Sequence, residues 1–261
     1  MSRFTRQVIV FGAPIFVGIL NLFHPVHFEN TNTYDSLHGV VKWWIALHLM
    51  NIAGFALLAL AGFLLVQRRL GKAATIARIA LAIFVPTYIA FDAITGIGTG
   101  ILIQYAGRLP MNELVAVKPV IDAYWSGNVA TLLAIIGSVA WNLGMSMSAM
   151  AFTEPKRRLA MIAPVFLAGA VDSWGYSAAT FGTLPWWIAA LLIGLLSFLI
   201  SRASLPVSLL TLSGILFGIT HVVPFGPLGM ACFVVAAALL EWAPRKAQVT
   251  QPINPMSPSH S

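Results

Sequence analysis

"KWWIALHLMNIAGFALLALAGFLLV", Lys42–Val66, runs for twenty-five residues with a single charge, at its first position. A helix rises about 1.5 Å per residue and needs about 20 apolar residues to span the hydrocarbon of a bilayer. This stretch therefore reads as a membrane-crossing helix. Trp43 and Trp44 open it and Arg68 and Arg69 follow its end, matching the interfacial preference of tryptophan and the retention of basic residues in the cytoplasm.

The rest of the chain repeats this pattern. Of 261 residues, 59% are hydrophobic and only 9% charged, with a mean hydropathy of +0.86. Soluble domains carry roughly a quarter charged residues, and eight acidic plus fifteen basic side chains cannot clothe a soluble core of this length. The fold class expected is an all-α polytopic membrane bundle. Eight stretches qualify as crossings: residues 8–25, 42–66, 79–105, 128–151, 159–181, 185–201, 205–223 and 228–243. Residues 1–246 form one transmembrane helical domain in this reading, and the polar, proline-bearing stretch 247–261 a disordered cytoplasmic tail. The first segment follows Arg3 and Arg6 like a signal peptide but lacks a small-residue cleavage site, so it reads as a retained helix.

Charge sets the orientation. Arg3, Arg6, Arg68, Arg69, Lys72, Arg78, Lys156, Arg157, Arg158, Arg202, Arg245 and Lys246 fall on one side of these segments, and only Lys42, Arg108 and Lys118 on the other. Twelve against three places both termini in the cytoplasm. The same short clusters account for the net charge of +7, so no nucleic-acid partner is expected, and the partners are membrane lipids and a lipophilic small molecule. A single cysteine, Cys232, excludes an intramolecular disulfide and a thiolate metal cluster. Two outer loops are longer than turns: "HPVHFENTNTYDSLHG" is polar, and "RLPMNELVAVKPVIDAYWSG" suits a broken amphipathic helix in the interface.

Against this background the polar residues inside segments stand out, since intramembrane ionisable groups are costly and mark function. Asp92 lies fourteen residues beyond Arg78, and Asp172 fourteen beyond Arg158, on helices that both run outward. At about 1.5 Å per residue both carboxylates stand about 21 Å up, near midplane. Tyr88, Asp92, Thr95 and Thr99 share an expected stripe, as do Asp172, Tyr176 and Thr180, while Ser138, Asn142 and Ser146 form a third. Glu241, about a turn from the cytoplasmic end, reads as structural. The run "TGIGTG", residues 95–100, reads first as close helix packing.

Histidine is the second anomaly. His24, His27, His38, His48 and His221 all map to the outer side, and only His260 lies in the tail. Five histidines there can solvate the interface, exchange protons with a substrate, or hold a metal or haem. No HExxH or HxxxH spacing occurs among them, so no metal ligand is assigned and the cofactor stays open.

The stretches "WWIALHLMNIAGFALLALAGFLL", "AFDAITGIGTGIL" and "HVVPFGPLGMACFVVAAALLEW" resemble a family of uncharacterised bacterial multi-pass membrane proteins. The resemblance implies a helical bundle in a bacterial inner membrane and transfers no catalytic residue. In kind, without matching motifs, the chain is also similar to integral-membrane terpene cyclases, and to seven-helix zinc hydrolases of the membrane, whose histidine spacings are absent here.

The function expected is a membrane-embedded enzyme acting on a lipid, isoprenoid or quinone-like substrate through paired aspartates. Asp92, Asp172, His48 and His221 are the catalytic candidates, with Tyr88, Thr95, Asn142 and Tyr176 contacting substrate. A proton- or cation-coupled transporter, or an accessory membrane protein, is the alternative. Mutation of the aspartates and flux in proteoliposomes separate these.

Overall fold

The computed structural model describes residues 1–25, 32–178, 185–201 and 204–242, with 169–178 and 185–191 described as backbone only. Every regular element among them is helical. In chain order these are α1 (Arg3–Leu22), α2 (Thr33–Leu37) with a 3₁₀ turn at His38–Val40, α3 (Val41–Val66), and α4 (Lys72–Asp92). A π-helical turn, Ala93–Gly98, carries α4 into α5 (Thr99–Ala106). Then come α6 (Met111–Trp125), α7 (Asn128–Phe152), α8 (Pro155–Ala178), α9 (Pro185–Ser201), α10 (Leu205–Ile219) and α11 (Phe225–Trp242). Among the described residues, five stretches are long and apolar enough to cross a membrane: Arg3–Leu22, Thr33–Val66, Lys72–Ala106, Met111–Phe152 and Phe225–Trp242. The remaining expected segments fall on α8, α9 and α10, of which α9 has 17 residues and α10 has 15.

Six helices close a ring. α1 packs on α3, α3 on α4, α4 on α7, α7 on α10, α10 on α11, and α11 returns to α1, while α8 and α9 lean on α7 and α10 from outside. The ring is filled by aromatic side chains at contact distance. Phe84 and Trp141 have centroids 5.2 Å apart, Trp141 and Phe217 5.2 Å, and Phe55 and Tyr88 4.9 Å. All five are buried, and edge-to-face or tilted pairs of this kind add to the burial itself. At the end that holds the N-terminus the ring is fastened by Arg6, whose guanidinium lies 2.6 Å from Glu241 and donates to the Leu64 carbonyl. Glu241 thus ties α11 to α1.

The helices α2 and α6, from the two long connections, pack on each other. Tyr34 and Leu37 of α2 join Ile103, Leu114 and Ile121 in an apolar cluster beneath Trp44. Asp122 accepts the Thr33 N–H at 2.7 Å and Lys118 pairs with Asp35 at 2.7 Å, so α2 and α6 form one cap. α6 is a continuous helix with Pro119 inside it, where a broken one was expected. Trp43 is half exposed and donates to the Phe23 carbonyl, but Trp44, expected at the interface with it, is buried. Its indole has an internal acceptor.

Candidate functional site

Four separate parts of the ring place polar side chains at the end away from Arg6 and Glu241. His24 follows the last turn of α1, His48 lies two turns into α3, Asp92 ends α4, and His221 begins the link from α10 to α11. One ring nitrogen from each histidine lies within 4.8 Å of the others. The centroid of His24 stands 5.2 Å from that of His48 and 5.1 Å from that of His221, each pair edge to face. His48 Nε2 lies 3.8 Å from Asp92 Oδ1. All four side chains are buried.

Which nitrogen faces inward follows from the partners of the other. His24 Nδ1 lies 2.8 Å from the Pro25 carbonyl, and His48 Nδ1 lies 2.7 Å from the Trp44 carbonyl. A carbonyl only accepts, so both Nδ1 atoms carry the proton and both Nε2 atoms present a lone pair. His221 Nδ1 is 3.0 Å from the Tyr88 hydroxyl, which leaves its Nε2 on the same side as the others. His24 Nε2, His221 Nε2 and both oxygens of Asp92 are buried without a hydrogen-bond partner among the described residues.

The local chain explains how His48 is held. The run "AITGIG" winds as a π-helix, a wide turn that often sits at functional positions. Within it the Gly96 carbonyl accepts the Trp44 Nε1–H at 2.7 Å, and Trp44 in turn orients His48 through its own carbonyl. Gly96 must lack a side chain, because a Cβ there would fall 2.0 Å from His48 Cδ2. The expected packing role of the glycine run is thus met by an imidazole. His221 is set in a similar way: a Cβ on Gly226, in the first turn of α11, would fall 2.7 Å from the His221 Cα.

The remaining candidates divide clearly. Tyr88 touches His221. Thr95 is buried, but its hydroxyl donates to the Phe91 carbonyl of its own helix, and Thr99, likewise buried, donates to the Ile94 carbonyl. Asn142 donates to the Ala168 carbonyl and accepts from Ser146, which binds α7 to α8. His38 is exposed and stacks on Tyr34 in the cap. Asp172 and Tyr176 lie on α8 where only backbone is described, so the expected pairing of the two aspartates lies outside the described residues, as do His27 and the tail 247–261. His24 was not singled out from the other outer histidines. Its one local signal is the break of α1 at "HP", which aims a side chain back over the helix end.

Comparison with known proteins gives no match to any family model, curated protein or solved structure. The chemistry of the site therefore has to be read from its own residues.

Proposed function

We propose that this protein is an integral membrane hydrolase of lipophilic acyl substrates, built on a divalent metal ion held by His24, His48 and His221. The observation that carries this is the convergence of three imidazoles beside a buried, unpartnered carboxylate. Burying a carboxylate without a donor is costly. A cation bound through the neighbouring imidazole nitrogens removes that cost.

Three neutral imidazoles suit zinc and its neighbours. Three protein ligands with a fourth position open is the arrangement of catalytic rather than structural zinc. The Nδ1 partners of His24 and His48 are the carbonyl acceptors that commonly orient metal-binding histidines. Haem fits less well, because two axial imidazoles facing across a porphyrin leave no place for a third. An ion here supplies acidity to a water and polarisation to a carbonyl.

The chain does the rest. With an ion held by the three histidines, Asp92, whose Oδ1 lies 3.8 Å from His48 Nε2, would take a proton from water as the water oxygen bonds to the substrate's carbonyl carbon. When the bond to the leaving alcohol or amine breaks, Asp92 returns that proton to it. Asp92 therefore acts alone in this reading, without the second aspartate. Tyr88 positions His221.

The lipophilic character of the substrate is supported by an open apolar groove between α1 and α11, bordered by Pro14, Gly18, Leu22, Pro227 and Val235. Its outer end, at Leu22 and Pro227, lies two residues from His24 and six from His221. We place eight crossings in a bacterial inner membrane, both termini in the cytoplasm, with the site opening outward. The test is metal analysis of protein purified without added metal, then lipid ester and amide hydrolysis before and after chelation. One metal per chain and chelator-sensitive hydrolysis are expected. Metal-free protein that stays metal-free on titration with zinc refutes the proposal.

A further inference from the structure

The antiparallel helices α1 and α3 meet in successive rungs. In one, a Cβ on Gly54 would fall 2.9 Å from Val17. In the outermost, His24 faces His48. Between them lies a rung made of two carboxamides, Asn21 and Asn51, both with no exposed surface. Each side chain is three residues from a histidine of the site, on the inward side, so the amides form the layer directly beneath the imidazoles.

Their bonding is incomplete. Asn21 Nδ2 donates to the Val17 carbonyl at 2.9 Å, and the two amides exchange contacts of 3.4 Å in both directions. Ordinary amide bonds fall near 2.7–3.2 Å. A carboxamide nitrogen carries two hydrogens. Asn21 uses one on Val17 and turns the other toward Asn51. Asn51 turns one toward Asn21, and its second has no acceptor among the described residues. The second hydrogen of Asn51 is therefore a buried donor still to be met, and leaving one unmet costs about 1–3 kcal/mol.

We infer that Asn51, braced by Asn21, is the seat for the carbonyl oxygen of the substrate. The inference rests on the hydrolase reading and narrows it. A donor at this place favours a lipid ester or amide over an isoprenoid hydrocarbon or an ether, neither of which presents a carbonyl oxygen. Donors aimed at such an oxygen hold it in the ground state and hold it more tightly as it gains charge. The Nδ2 of Asn51 forms this bond, and Asn21, fixed to Val17, keeps the amide plane in place.

The probe is full-length protein loaded with Co²⁺ in detergent, titrated with octanoyl hydroxamate, which carries a carbonyl, and with azide, which does not. Binding is read from the visible cobalt bands. Asn51→Leu is expected to take up one cobalt per chain, to bind azide as the wild type does, and to lose roughly tenfold in hydroxamate affinity, the worth of one hydrogen bond to a charged group. Asn51→Ser, smaller and closer to the native polarity, gives the same split if Asn51→Leu does not fold. Cobalt-loaded variants with unchanged hydroxamate affinity, or with azide affinity reduced equally, overturn the carbonyl seat and leave the metal site standing. A wild-type protein that takes up no cobalt overturns both.

Discussion

Adding one methyl group at Gly96 tests the link between the π-turn and the histidines. In Gly96→Ala the new Cβ would lie 2.0 Å from His48 Cδ2, 2.2 Å from Cγ and 2.7 Å from Cβ. Ordinary van der Waals contact begins at 3.4 Å, so the ring must retreat by 3.4 − 2.0 = 1.4 Å or the helices must part. The ring cannot retreat freely, since its Nδ1 is bonded to Trp44 and Trp44 is bonded back to Gly96. Overpacking of this kind costs about 1–3 kcal/mol. Metal coordination tolerates only about 0.2 Å, so the larger effect falls on binding. Loss of a hydrogen-bond partner that orients a metal-binding histidine lowers metal affinity about 10–100-fold, and displacement of His48 itself should reach or exceed the upper end. The assay is competitive zinc titration with thermal denaturation, using Gly12→Ala as control because no atom lies within 4 Å of a Cβ there. A Gly96→Ala protein that binds zinc as the wild type does would refute the placement of His48.

Asp92→Asn should retain the metal and lose about 10²–10⁴ in hydrolysis, the usual worth of a general base; full activity on lipid ester would remove Asp92 from the mechanism. His221→Ala should lower zinc affinity sharply while His38→Ala, in the exposed cap, leaves it unchanged; equal effects would show that outer histidines act collectively and not as a site. For topology, green fluorescent protein fused after Ser261 should fluoresce and alkaline phosphatase fused after Leu109 should be active, and the reverse pattern would invert the bundle.

The helices were legible because each apolar stretch carries its own signal within about twenty residues, and Asp92 stood out as an acid within such a stretch and is buried at the end of α4. The site was less legible because its members are far apart: 221 − 24 gives 197 residues between the outermost histidines, and ring closure brings them together. No short-range spacing records that closure, so the absence of an HExxH pattern carried no information about metal. The π-turn was hidden for a different reason. "AITGIG" has the composition of a packed α-helix, and only the bond between Trp44 and Gly96, forty-eight to fifty-two positions from His48 and Trp44 in chain order, gives the wider turn its purpose. The same bond draws Trp44 inward, where composition alone would leave it at the membrane surface.

Because α11 completes the ring against α1, the first and last described helices of the chain are neighbours. The flank of α1 that bears on α11 has no protein neighbour until Phe225–Trp242 has left the ribosome, some two hundred residues after α1 itself. His24, His48 and Asp92 likewise gain His221 only from the far end of the chain. The three histidines therefore come together only in a chain long enough to close that ring.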